Sequence, residues 1–133
     1  MPKTYLNPPT LFPSEQYGFS QIVKAQGGAT VYISGQVGWD AQENIGDADF
    51  RAQTHRAFAN LRTAVEAAGG TMDDVVSLRI YLVGEHIHNE GTLSSALLEF
   101  FTPCKLPTSN WIGVAALANR EFLIEVEAIA VIE

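Results

Sequence analysis

Two carboxylates near the C-terminus, Glu125 and Glu127 in the run IEVEAIAVI, alternate with apolar residues. A carboxyl among apolar and aromatic neighbours is harder to ionise, and at a raised pKa it can hold or orient a water for acid/base chemistry. Glu125 is the leading candidate. The competing reading is structural: Arg79 neutralises Glu125 or Glu127 within an interface, because a desolvated charge needs a partner whether or not it reacts. Other reactive side chains have less support. Cys104 lies beside Lys105, a setting that lowers a thiol pKa, but no His or Asp partner is placed by sequence. His86 and His88 are two apart, the wrong interval for one helix face, and decorate a solvated helix entrance rather than bind a metal. His55 belongs to the exposed side of a helix. SGQVG lacks the lysine of a phosphate loop and no GxGxxG opens a helix, so nucleotide binding has no support.

These side chains need a scaffold. Four of the six prolines fall in residues 2–16, which read as an extended N-terminal arm, with one domain over 17–133. Phe19 to Gln26 and Ala29 to Trp39 predict two antiparallel strands joined at Gly27-Gly28. Asp47 or Asp49 caps a helix in which Phe50, Thr54, Ala57, Phe58, Leu61, Val65 and Ala68 recur at helical spacing until Gly69-Gly70. Thr71 to Asp74 resembles a short helical start. VVSLRIYLVG predicts a strand with Val76, Leu78, Ile80 and Leu82 on one face, and a second helix is expected from about Asn89 to Phe101, stopped by Pro103. Strands over Ser109 to Leu117 and Phe122 to Ile132 complete the order ββαβαββ, an α+β two-layer sandwich with both helices on one face of the sheet.

The other face is the informative one. Strand alternation places Glu125, Glu127, Ile129 and Val131 there, together with Tyr32, Ser34 and Gln36, Ser77, Arg79, Tyr81 and Val83, and Ser109, Trp111 and Gly113. So much apolar and aromatic surface is uncomfortable on a monomer, and the chain holds no third layer. Self-association is the simplest cover, and it implies sites in clefts between neighbouring subunits.

Composition narrows the classes further. At 133 residues and 47% hydrophobic, the chain suits one globular core without a disulfide or structural metal. One cysteine fits a reducing compartment, the cytosol by default. The net charge of −7 repels phosphate backbones and anionic lipid, which argues against nucleic acid and membrane partners. Neither a signal-peptide core nor an apolar run of ~18 residues is present.

Three segments together, YISGQVGWD, QTHRAFANLRTAVEAAGGTMDDVVSLRIYL and IEVEAIAVI, resemble the Rid superfamily, the reactive intermediate deaminases also called the YjgF family. The resemblance runs from about Tyr17 to Ile132. It implies a chorismate-mutase-like fold, a homotrimer with three interfacial clefts, and hydrolysis of reactive enamines and imines to 2-oxo acids and ammonia without a metal or organic cofactor. Glu125 matches the family's water-positioning glutamate, and Gly35 of Ser34-Gly35-Gln36 matches its cleft-lining backbone.

Two positions depart from that pattern. The deaminating branch carries an arginine in a P-x-R-S segment, where this chain reads Pro107-Thr108-Ser109-Asn110. Serine cannot replace a permanently charged, bidentate fork. Phe19 stands at the tyrosine of the family's GPYSQ, so a phenolic hydroxyl is lost. Trp111 fills a position usually held by a much smaller residue. The expected pocket is therefore more aromatic and less cationic, suited to a neutral or aromatic ligand held by Ser109 and Asn110 between Phe19 and Trp111. Two main readings follow: a Rid-like hydrolase or deaminase of a small nitrogenous metabolite, with Glu125 orienting water, or a non-catalytic metabolite-binding trimer. Arg79 could restore the missing cation, although pairing with Glu127 is the expectation. Endoribonuclease activity, assigned to some family members, is disfavoured by the lack of a basic stripe.

Overall fold

The computed structural model describes residues 3–133. A four-stranded mixed sheet forms its centre, with β3 (Ala29–Gln36), β6 (Ile124–Ile132), β4 (Val75–Val83) and β5 (Thr108–Val114) in that spatial order. β6 runs antiparallel to both neighbours, whereas β5 lies parallel to β4 at the edge. The helices α1 (Phe50–Ala67) and α2 (Glu90–Phe100) cover one face, which gives the expected α+β two-layer architecture.

Local chemistry explains the helix ends. Asp49 Oδ1 accepts from the Ala52 amide at 2.7 Å, a cap that contributes about 1 kcal/mol. Ala57, Phe58, Leu61 and Val65 are fully buried from α1, and Leu93 and Leu97 from α2, against Leu78, Ile80, Leu82, Ile124 and Val126 of the sheet. Gly69, at φ 95°, adopts the left-handed conformation beyond the end of α1. Thr71 and Asp74 close a capping box around the 3-10 turn before β4.

Pairing departs from expectation at the N-terminus. Lys3–Leu6 is a strand, β1, paired antiparallel with β2 (Ile22–Ala25) as a separate two-stranded sheet. Gly27 and Gly28 do turn the chain with positive φ, yet the strands they connect take other partners: β2 pairs with β1 and β3 with β6. Local turn chemistry set the reversal, and long-range pairing selected the neighbours.

Two irregularities change which side chains share a face. Between Ile33 and Gln36 the β3 register slips, so Gln36 lies opposite Val126 and leaves the face shared by Tyr32 and Ser34. A second slip between Val75 and Ser77 puts Val75 into the core where Val76 was expected. The phase of β5 also differs from the alternation assigned above. Ser109, Trp111 and Gly113 align with Leu78, Ile80 and Leu82 and belong to the helix side, while Thr108, Asn110 and Ile112 align with Ser77, Arg79 and Tyr81. Both alternating sets of β5 are half polar, so composition gives no phase. No helix among the described residues is long and apolar enough to cross a membrane.

Candidate functional site

The side of the sheet away from the helices carries the carboxylates. Tyr32 is 78% exposed there, and Ser34 is exposed beside it on β3. Glu125 packs over Gly35, which lies within the β3 register slip. A Cβ built at position 35 would overlap the Glu125 carboxylate, so glycine is what lets the side chain lie against that backbone. Partial burial pushes the Glu125 carboxyl above its ordinary pKa, and the negative charge of Glu127 pushes it further.

Cross-strand register completes this surface. Tyr81 lies opposite Glu125, and Arg79 opposite Glu127. The Tyr81 hydroxyl donates to Glu127 Oε1 in a short hydrogen bond. That bond holds the phenol's proton, so the Tyr81 pKa is raised, with desolvation adding to it and the charge of Arg79 opposing it. The expected Arg79–Glu127 ion pair does not form. Ion pairs among the described residues are Lys3–Asp74, His55–Glu99 and Lys105–Asp73, and a neutral phenol takes Glu127 instead.

A cleft of about 620 Å³ opens at the β5 edge, lined by Phe12, Phe19, Ser109, Asn110 and Trp111 with Glu90 at its margin. The Phe19 ring meets Phe12 and Trp111 edge-on at centroid distances of 6.1 and 5.9 Å. Trp111 Nε1 donates to Ser109 Oγ at 3.0 Å, so Ser109 anchors the indole. Among the described residues no lysine, arginine or histidine lines the cleft.

Site residues expected from sequence thus form two groups. Phe19, Ser109, Asn110 and Trp111 converge in the edge cleft, and Ser34, Gly35 and Glu125 converge at the β3/β6 surface. One chain does not bring the two together: the cleft lining contains none of the second group.

Other candidates have ordinary roles. His55 bonds Glu99 at 3.1 Å on the exposed side of α1, and His86 stacks on Phe50 at 4.8 Å. Cys104 is exposed. Among the described residues no group of three or more His, Cys, Asp or Glu could hold a metal. Sequence reading missed Gln53, which is buried in α1. It donates to the Ala48 and Glu121 carbonyls at 3.0 and 2.8 Å and accepts from the Leu123 amide at 2.9 Å, fixing the chain just before Glu125. Its helix position facing the core was the available signal, obscured because a glutamine there reads as a surface residue.

Comparison with known proteins sets this arrangement in context. The family model described as Endoribonuclease L-PSP matches residues 12–132. A protein of the conserved Rid family, YyfB from Yersinia pestis, is 38% identical and superposes with a TM-score of 0.94 over 99% of this chain and 100% of its own. The chain belongs to the Rid/YjgF superfamily. Another Rid relative, 2-iminobutanoate/2-iminopropanoate deaminase from Dermatophagoides farinae, is 34% identical over 99% of this chain and 98% of that protein. RidA from an Antarctic Psychrobacter has 31% identity and a TM-score of 0.71, covering 86% of this chain and 88% of its own. The Rid fold expected from the three sequence segments is the fold observed.

Proposed function

We propose that this protein binds a small nitrogenous metabolite where the Glu125–Gly35 surface of one subunit meets the aromatic β5-edge cleft of a neighbour in a homotrimer, and that it hydrolyses an enamine or imine there. The observation that carries this reading is Glu125 held over Gly35 with its pKa raised, which brings its basicity closer to neutrality. An uncovered sheet face and two separated groups of site residues favour assembly as the way to complete a pocket. The deaminase name of the 34% identical relative supports the reaction class.

The chemistry needs no redox partner. An enamine first tautomerises to the imine. Glu125 takes a proton from water as the oxygen bonds to the imine carbon and returns it to the nitrogen, and the hydroxyl proton of the resulting carbinolamine then passes to the departing nitrogen. Collapse of the carbinolamine breaks the carbon–nitrogen bond and releases ammonia and a carbonyl compound. Among the described residues that line the cleft Glu90 alone is charged, so the pocket suits a neutral or aromatic ligand better than a bare carboxylate. The acidic balance of the chain does not support RNA as substrate.

A second reading, a metabolite-binding trimer without catalysis, is favoured by Ser109 and Phe19, which lack the charge and the hydroxyl of the deaminating branch. One experiment separates the two. 2-Iminopropanoate and a neutral aromatic imine are generated enzymatically, and carbonyl product is followed with wild type, Glu125→Ala and Ser109→Arg. Hydrolysis by wild type that falls on the order of a hundredfold in Glu125→Ala supports catalysis. Activity only in Ser109→Arg supports the binding protein, and inactivity of all three overturns the hydrolase.

A further inference from the structure

Gly35 lies under Glu125 only while the end of β3 stays in place, and the sheet by itself does not hold it there. Ser34 and Gly35 have no Cα partner on β6: regular pairing stops at Ile33–Ala128 and resumes, offset, at Gln36–Val126. β3 is also an edge strand of the sheet. Glu125 is better fixed, because Tyr81 and Leu82 of β4 pair with Glu125 and Ile124 of β6. The sheet thus sets one half of the contact, and the other half needs an anchor from elsewhere.

That anchor comes from the helix layer. Asn60 of α1, partly buried, donates from Nδ2 to the carbonyls of both Val37 and Trp39 at 2.8 Å, two and four residues beyond Gly35. Carbonyls that leave the ladder need donors, and one primary amide supplies both of its N–H groups to them. Gln53, on the same face of the helix, packs against Gly38, where a Cβ would meet its Cγ at 3.0 Å, and its amide binds Glu121 and Leu123 ahead of β6. Trp39 and Phe122 meet edge-on at 4.8 Å and join the two segments to each other. These bonds lie on the helix side of the sheet, so they hold whether or not neighbouring subunits cover the other face.

We propose that Asn60 is a positioning residue for Glu125: by pinning the chain after Gly35 it keeps that backbone under the carboxylate, with Gln53 as the second point of the same clamp. Neither amide needs to touch substrate. A reacting group held through such an anchor is sensitive to its loss, since a displacement of about 1 Å can cost on the order of a hundredfold in rate. The effect on rate rests on the hydrolase reading proposed above, whereas the effect on Glu125 itself rests on the geometry alone.

The test compares full-length Asn60→Ala with Val65→Ala, a core truncation near the C-terminal end of the same helix, by carboxyl-carbon NMR titration of Glu125 and by imine hydrolysis. In Asn60→Ala the Glu125 carboxyl should titrate closer to its ordinary 4.5 than in wild type, because water reaches it once the Gly35 backbone moves away. In Val65→Ala it should titrate as in wild type. Hydrolysis by Asn60→Ala should lose about tenfold or more in kcat with KM held within about twofold, a split that general loss of stability does not produce. Should Asn60→Ala fail to fold, Asn60→Gln, which carries the same donors on a longer stem and displaces the segment, takes the same measurements. A Glu125 titration unchanged in the Asn60 variant, or moved equally by Val65→Ala, overturns the proposal. If wild type hydrolyses no imine, the proposed reaction fails and the titration alone decides the positioning role.

Discussion

The backbone of Gly35 passes so close beneath Glu125 that any side chain at position 35 would displace the carboxylate. A register slip in β3 creates the approach, and a residue on β6 uses it. Gly35→Ala should therefore destabilise the fold by about 1–3 kcal/mol, the usual cost of inserting a methyl into occupied space. It should also abolish any imine hydrolysis. Urea denaturation checks the first part, and the double variant Gly35→Ala/Glu125→Ala should recover most of the stability without recovering activity.

Burial raises the Glu125 pKa above the ordinary value of 4.5, and that sets the sign of a pH effect. Below 4.5 the carboxyl is protonated in folded and unfolded chains alike. As pH rises towards the folded value, the unfolded chain ionises more readily, so stability is lost across that window. Glu125→Gln should thus gain thermal stability over wild type at pH 7 and show little gain at pH 4. A melting-temperature difference that is the same at both pH values would contradict the burial argument.

Gln53 joins α1 to the segment that enters β6. Gln53→Leu keeps the volume but leaves the Glu121 carbonyl and the Leu123 amide without their partner, a loss of about 2–4 kcal/mol. Hydrogen exchange should increase at Leu123 more than in the centre of β4.

Ser109 anchors the Trp111 indole across 3.0 Å. Ser109→Ala should cost about 1 kcal/mol and shift the tryptophan emission, because the indole N–H turns to solvent. Trp111→Phe should make that serine substitution nearly neutral. A double-mutant cycle in urea measures the coupling directly.

Local signals made much of this molecule legible in the sequence. Helical spacing from Phe50 to Val65 and the Asp49 cap lie within a few turns of chain, as do the alternation of Ile124 to Ile132 and the Gly69 stop. Glu125 and Gly35 each sit in a short run of alternating residues, but their contact lies between strands far apart in the chain. The partner of β2, the phase of the edge strand β5 and the slip that brings Gly35 under Glu125 were decided only in three dimensions. Each depends on hydrogen bonds to strands far away in the chain, and where both alternating faces of a strand are half polar, hydrophobicity cannot choose between them. Tertiary structure also replaced the expected Arg79–Glu127 ion pair, because the Tyr81 hydroxyl beside them donates to the Glu127 carboxylate.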